Sequence, residues 1–265
     1  MRKVLIVGNW KMHLNASQAS LLVHRLQEHI KLYRDIEVVL APSMLTLQPM
    51  SVQIDRRKFR LAAQNAYSID EGAFTGEVSF TMLRDLVHYV IIGHSERRHV
   101  FGEDLDMIRD KVTAAVRNEI TPILCVGETM HERASGETKQ VLHDQLMTAL
   151  HNLTASEARH LVIAYEPVWA ISNGEDFGKH EVPLPQHVAE IVHYIRGYIR
   201  DIFGPRAATH VRVLYGGSTT PDLVRPFLEV DGVDGFLVGG ASLNYHSFSQ
   251  IVNNAYNYHR ERDNE

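Results

Sequence analysis

Eight short apolar runs recur along the chain, and amphipathic stretches separate them. They cover residues 3–7, 37–41, 60–63, 89–92, 121–126, 161–165, 211–215 and 235–238, and each is rich in Val, Ile, Leu or Ala. Near-continuous apolar character, rather than strict alternation, predicts parallel strands covered by helices outside and filled by side chains inside. After the first run, Asn15 and Gln18 form a helix-capping pair, and Leu22, Leu26 and Ile30 fall on one stripe. The clearest helix is predicted from Pro185 to Phe203. Val188, Ile191, Val192, Ile195, Ile199 and Ile202 share one of its faces, and Gly204-Pro205 stops it. Strand–helix units repeated eight times, with no linker or low-complexity tract, predict an α/β fold. The expected form is one eightfold β/α barrel, a single domain over 1–265, with a polar tail at 260–265. The carboxyl ends of the strands then form the active face.

Composition narrows the function classes. At 265 residues, 45% hydrophobic and 22% charged, the chain has ample material for a globular core. A net charge of −5 with dispersed signs argues against nucleic acid or an anionic membrane as partner. The single cysteine, Cys125, excludes an internal disulfide and suits a reducing compartment. Lying in the apolar run Ile123-Leu124-Cys125-Val126, it reads as a packed strand residue rather than a nucleophile. Sixteen histidines show no metal-ligand spacing, so no metal is expected, and His187 and His193 are placed on solvated helix faces. The opening residues imitate a signal peptide until Gly8-Asn9-Trp10-Lys11 interrupts them, and no segment is apolar enough to cross a bilayer. A cytoplasmic location follows as the expectation.

Chemistry collects after the apolar runs. Asn9 and Lys11 follow the first, Gln64-Asn65 the third, His94 and Glu96 the fourth, Gly127-Glu128 the fifth and Glu166 the sixth. Gly216-Gly217-Ser218 follows the seventh, and Gly239-Gly240-Ala241-Ser242 the eighth. Glycines at two adjacent strand ends let backbone amides approach an anion, and barrels of this kind often hold phosphate there. Each residue alone has a plainer reading: Lys11 as a surface charge, His94 as a structural histidine, Glu166 as a strand end, the glycines as tight turns. Together they supply a base, an electrophile, a cation and a cradle for a dianion.

These residues also carry a family likeness. Gly8-Asn9-Trp10-Lys11-Met12, Gly72-Ala73-Phe74-Thr75-Gly76-Glu77, the segment 93–98, Ala164-Tyr165-Glu166-Pro167-Val168-Trp169-Ala170-Ile171, Tyr215-Gly216-Gly217-Ser218 and the segment 235–243 closely resemble triosephosphate isomerase, in order and across almost the whole chain. The resemblance implies the eightfold β/α (TIM) barrel and the interconversion of dihydroxyacetone phosphate and glyceraldehyde 3-phosphate in glycolysis and gluconeogenesis, without a cofactor. It implies Glu166 as the carboxylate base and His94 as the group that polarises the carbonyl. Carboxylates are weak bases in water, so the reaction calls for a site closed to solvent. A helix beginning at Ser95 would favour a neutral imidazole at His94. Lys11 and Asn9 would stabilise charge on the substrate oxygens, with Glu96 holding Lys11 and Ser95 holding the resting base. Amides of Ser172, Ser218, Gly239 and Gly240 would bind phosphate, Tyr215 would latch a closed lid, and Thr75 would reach across a homodimer interface.

One stretch departs from the family. After Ala170-Ile171 the usual Gly-Thr-Gly-Lys-Thr-Ala is replaced by a longer segment, 172–185, beginning Ser172-Asn173-Gly174. The insertion either leaves closure on a triose phosphate intact or reshapes the pocket for a tetrulose phosphate. A non-catalytic phosphate sensor on the same barrel would have lost Glu166 or His94, and both are present.

Overall fold

The structure, a computed structural model, describes residues 3–171 and 181–263. Eight parallel strands close into a barrel in sequence order. They are β1 (Val4–Asn9), β2 (Ile36–Ala41), β3 (Phe59–Ala63), β4 (Tyr89–Ile92), β5 (Thr121–Val126), β6 (Val162–Tyr165), β7 (Arg212–Tyr215) and β8 (Gly235–Val238). β1 joins the ends, with Leu5 opposite both Glu37 and Gly235.

Period-two alternation survives inside the apolar runs. Leu5, Val7, Val39, Ala41, Ile91, Ile123, Cys125, Ala164 and Leu237 fill the barrel. Their neighbours Ile6, Val38, Leu40, Val90, Ile92, Leu124, Ile163 and Phe236 face the helical layer. Both sets are buried, which is why the strands read as continuously apolar.

All eight strands lie where the apolar runs place them. β1 extends two residues further, because Gly8 and Asn9 pair with Leu40 and Ala41 through backbone alone. That extension delivers Asn9 and Lys11 to the carboxyl rim. Asn15 caps the helix Ala16–His29 in a reciprocal capping box with Gln18. The helix Pro185–Phe203 has its expected bounds.

Three expectations need correction. Ile202 is left 46% exposed, because periodicity puts it near the apolar face but at its edge, where Phe203 and not Ile202 packs against the core. His193 is exposed, but His187 is half-buried, its Nε2 3.2 Å from the Tyr165 hydroxyl. The polar residues 260–263 continue the helix Tyr245–Asp263, whose last turn carries Arg260 and Arg262, matched to the negative end of its dipole. Among the described residues, no helix is long and apolar enough to cross a membrane.

Candidate active site

His94 caps the short helix Ser95–His99 directly after β4. Its Nδ1 accepts the Glu96 backbone N–H at 3.2 Å. Nδ1 is therefore unprotonated, and a neutral ring carries its hydrogen on Nε2. That nitrogen faces Glu166 Oε1 at 3.2 Å. Glu166 follows β6 and is 2% exposed, and its Oε2 accepts the Ser95 backbone N–H at 3.0 Å. The carboxylate and the imidazole, 72 positions apart in the chain, thus share one chamber.

Two glycines make room for Glu166. A Cβ on Gly216 would lie 2.8 Å from Glu166 Cγ. One on Gly127 would lie 1.8 Å from the Glu166 carbonyl oxygen, closer than any atom can approach. Behind the carboxylate sits Cys125, buried in the barrel; burial first, and then the Glu166 charge, push its thiol well above the ordinary range. It is packing, not a nucleophile.

Lys11 follows β1 with φ +51, a conformation L-residues seldom adopt. Three neighbours hold it. Asn9 Oδ1 accepts its N–H at 3.1 Å, Gln64 Nε2 donates to its carbonyl at 2.8 Å, and Glu96 Oε1 lies 2.6 Å from its Nζ. Gln64 stands at the end of β3, where sequence alone assigns it no role. Its partners, Lys11 and Ala41, belong to other strand ends, so no local pattern marks it. Arg98 was likewise missed: it ties Gly93 and Cys125 carbonyls together at 2.7 and 2.8 Å, bracing the ends of β4 and β5.

A cavity of about 220 Å3 is bounded by Asn9, Lys11, His94 and Glu166 on one side and by Gly216, Ser218, Gly239 and Gly240 on the other. Of the expected phosphate donors, the Ser218 N–H is engaged, donating to the Ala170 carbonyl at 3.1 Å. Ser172 lies outside the described residues. Tyr215 is fully buried beneath the site, stacked on Phe227, its hydroxyl without a hydrogen-bond partner among the described residues. Thr75 is exposed on its loop and does not line the cavity that holds Glu166 and His94.

A further cluster braces the segment that follows Glu166. Glu128, completely buried, accepts from Trp169 Nε1 at 2.7 Å and from the Tyr165 hydroxyl at 3.1 Å. Burial, then the Glu128 charge, push the Tyr165 phenol far up, so it stays a donor. Arg133 stacks over the Trp169 ring at 3.7 Å and reaches Glu181 at 3.4 Å. It thereby touches both flanks of 172–180.

A parallel barrel with a carboxylate, a neutral imidazole and an ammonium converging beside a glycine-walled cavity defines an acid–base enzyme of the β/α-barrel class. The sequence profile of the triosephosphate isomerase family matches residues 4–255. Triosephosphate isomerase from Carboxydothermus hydrogenoformans is 42% identical over 95% of this chain and 98% of its own length. The namesake from Citrifermentans bemidjiense is also 42% identical, over the same shares. That from Chloroherpeton thalassium is 40% identical over 96% of this chain and all of its own. The chain belongs to the triosephosphate isomerase family.

Proposed function

We propose that this chain interconverts dihydroxyacetone phosphate and glyceraldehyde 3-phosphate, as a step of glycolysis and gluconeogenesis in the cytoplasm. The observation that carries the reading is the 3.2 Å approach of His94 Nε2 to Glu166 Oε1 at the wall of an anion-sized cavity. Glu166 removes a proton from the carbon beside the carbonyl while His94 Nε2–H protonates the carbonyl oxygen. The resulting imidazolate-side vacancy is refilled from the neighbouring hydroxyl, and Glu166 returns its proton to the adjacent carbon. Lys11 and Asn9 stabilise the charge that builds on the two oxygens. The resting carboxylate is held by Ser95 N–H and His94 Nε2–H. A substrate carbonyl that takes over the His94 hydrogen bond frees the base for carbon.

Phosphate would sit on amides of Gly239, Gly240, Ser218 and Ser172. Because Ser218 N–H is held by Ala170, at the end of the turn Val168–Ala170, phosphate binding and movement of that turn are linked. Only Ser172 to His180 of the lengthened stretch lie outside the described residues, and nothing observed favours a tetrulose phosphate. A coupled assay should give a far higher kcat/KM on glyceraldehyde 3-phosphate than on a tetrulose phosphate; the reverse would overturn the choice of substrate.

The working form is a homodimer on this reading. Met12, 95% exposed, and Phe101, 65% exposed, line a groove of about 390 Å3 that also contains Asn9 and Lys11. Apolar side chains in water beside a catalytic lysine suit cover by a second copy, into which Thr75 of that copy would reach. Sedimentation at micromolar concentration should give twice the chain mass.

A further inference from the structure

The rim opposite the catalytic cavity carries positive charge that the isomerase reaction does not use. A groove of about 450 Å3 opens where β1, β2 and β3 begin, lined by Lys3, Arg34, Arg56, Lys58 and Arg60. Three of these cations direct their side-chain hydrogen bonds to neutral groups. Arg56 donates to the Ser51 carbonyl, Lys58 to the Gln27 carbonyl, and Arg60 to His88 Nε2 at 2.9 Å. Lys3 and Arg34 are exposed, and none of the five forms an ion pair among the described residues. The two acids within electrostatic reach give their hydrogen bonds to other groups: Glu37, which also lines the groove and faces Arg60, to Arg212 and Tyr89, and Asp55, near Lys58, to the remaining lining cation, Arg57. Asp35 stands next to Arg34 in sequence without lining the groove. A second cavity shares Lys3 and Glu37 with this groove and adds Arg159, whose buried Nε has no hydrogen-bond partner among the described residues. The local sign is therefore opposite to the chain's net charge of −5.

We propose that this amino-terminal rim is a second anion site, built for a chain of linked phosphoryl groups. Adjacent strands stand about 4.8 Å apart, so cations at three consecutive strand starts span roughly 10 Å. One phosphate meets only part of that row at a time, whereas a pyrophosphate or triphosphate chain reaches more of the cations together. Each exposed pair alone contributes little, so a monovalent anion is held weakly and a polyanion by the sum. Bringing negative charge to the groove also relieves repulsion among six lining cations that face a single lining acid, Glu37. The inference is independent of the isomerase reading, because none of these residues lines the catalytic cavity.

Titration calorimetry with inorganic tripolyphosphate, ATP and orthophosphate on the intact protein tests it. Tripolyphosphate and ATP should bind at least tenfold more tightly than orthophosphate. Comparable affinities for the first two would assign recognition to the phosphate chain, and binding of ATP alone would overturn that assignment. Arg34→Glu with Lys58→Glu should weaken tripolyphosphate at least tenfold while leaving kcat and KM for the triose unchanged. Binding that is unaltered in this double variant, or that only competes with substrate at the opposite rim, overturns the proposal. Circular dichroism of the double variant, matching the parent, excludes misfolding as the cause of lost binding.

Discussion

At the scale of single residues, the site depends on where one carboxylate can stand. Glu166 is pinned by two donors and has Gly216 directly beside its side chain. Shortening it retracts the oxygens from the substrate carbon, and a misplacement of about 1 Å costs on the order of a hundredfold in rate. Glu166→Asp should therefore cut kcat by roughly two orders of magnitude while a phosphate-bearing substrate analogue binds as before. Unchanged turnover would remove Glu166 from its role. Gly216→Ala attacks the same position from the other side. Its methyl would meet Cγ at 2.8 Å, so the carboxylate must shift from its resting position. The expected result is a loss in kcat of roughly tenfold or more with KM little altered, read from steady-state kinetics. If kcat holds, the carboxylate has room that the structure denies it.

At the scale of elements, strands were legible and their long-range tethers were not. A buried parallel strand advertises itself by its own residues: 122–126 and 235–238 carry no polar side chain, and pairing adds only Thr121 to these bounds. The chemistry at strand ends was legible for the same reason, since His94 and Glu166 interrupt apolar runs abruptly. Gln64 and Arg98 were not, because their function lies in contacts with carbonyls of other strands, and a carbonyl has no signature in sequence. His187 was misplaced on a solvated face for a related reason: its partner Tyr165 comes from β6, not from its own helix. The loop after β1 turns the tether into a testable device. Lys11 holds a left-handed backbone, a conformation that costs on the order of 1–3 kcal/mol and persists only when neighbours enforce it. Gln64→Ala removes the donor to its carbonyl. The ammonium should then wander, raising KM and lowering kcat/KM on the triose phosphate, with about 1 kcal/mol lost in a urea melt. An unaltered kcat/KM would mean that Asn9 and Glu96 alone fix the lysine.

At the scale of the whole molecule, the two rims of the barrel divide catalysis from stability. The amino-terminal rim is closed across its width by one cluster, in which Arg212 on β7 reaches Glu37 on β2 at 2.7 Å, and Tyr89 on β4 donates to the same carboxylate at 2.9 Å. These strands are not neighbours in the sheet, so the cluster braces the barrel across its diameter. Burial alone would raise the Glu37 carboxyl, yet the Arg212 and Tyr89 hydrogen bonds bring it below its ordinary value of 4.5. A lowered carboxylate contributes stability above its unfolded value and loses it as pH falls through the folded one. His88 adds an earlier step of the same sign. Burial, and then Arg60, pull its imidazole below the ordinary 6.5, so the unfolded chain takes up that proton first. Stability measured by urea melts should accordingly decline in two stages on acidification, beginning below pH 6.5 and steepening below 4.5. Glu37→Gln should cost about 2 kcal/mol at neutral pH, because Arg212 is left half-buried without its anion. That penalty should shrink towards zero as the parent's own Glu37 becomes protonated. A penalty that stays constant down to pH 3 would show that Glu37 acts by shape and neutral hydrogen bonding, and that the charge across the barrel contributes nothing.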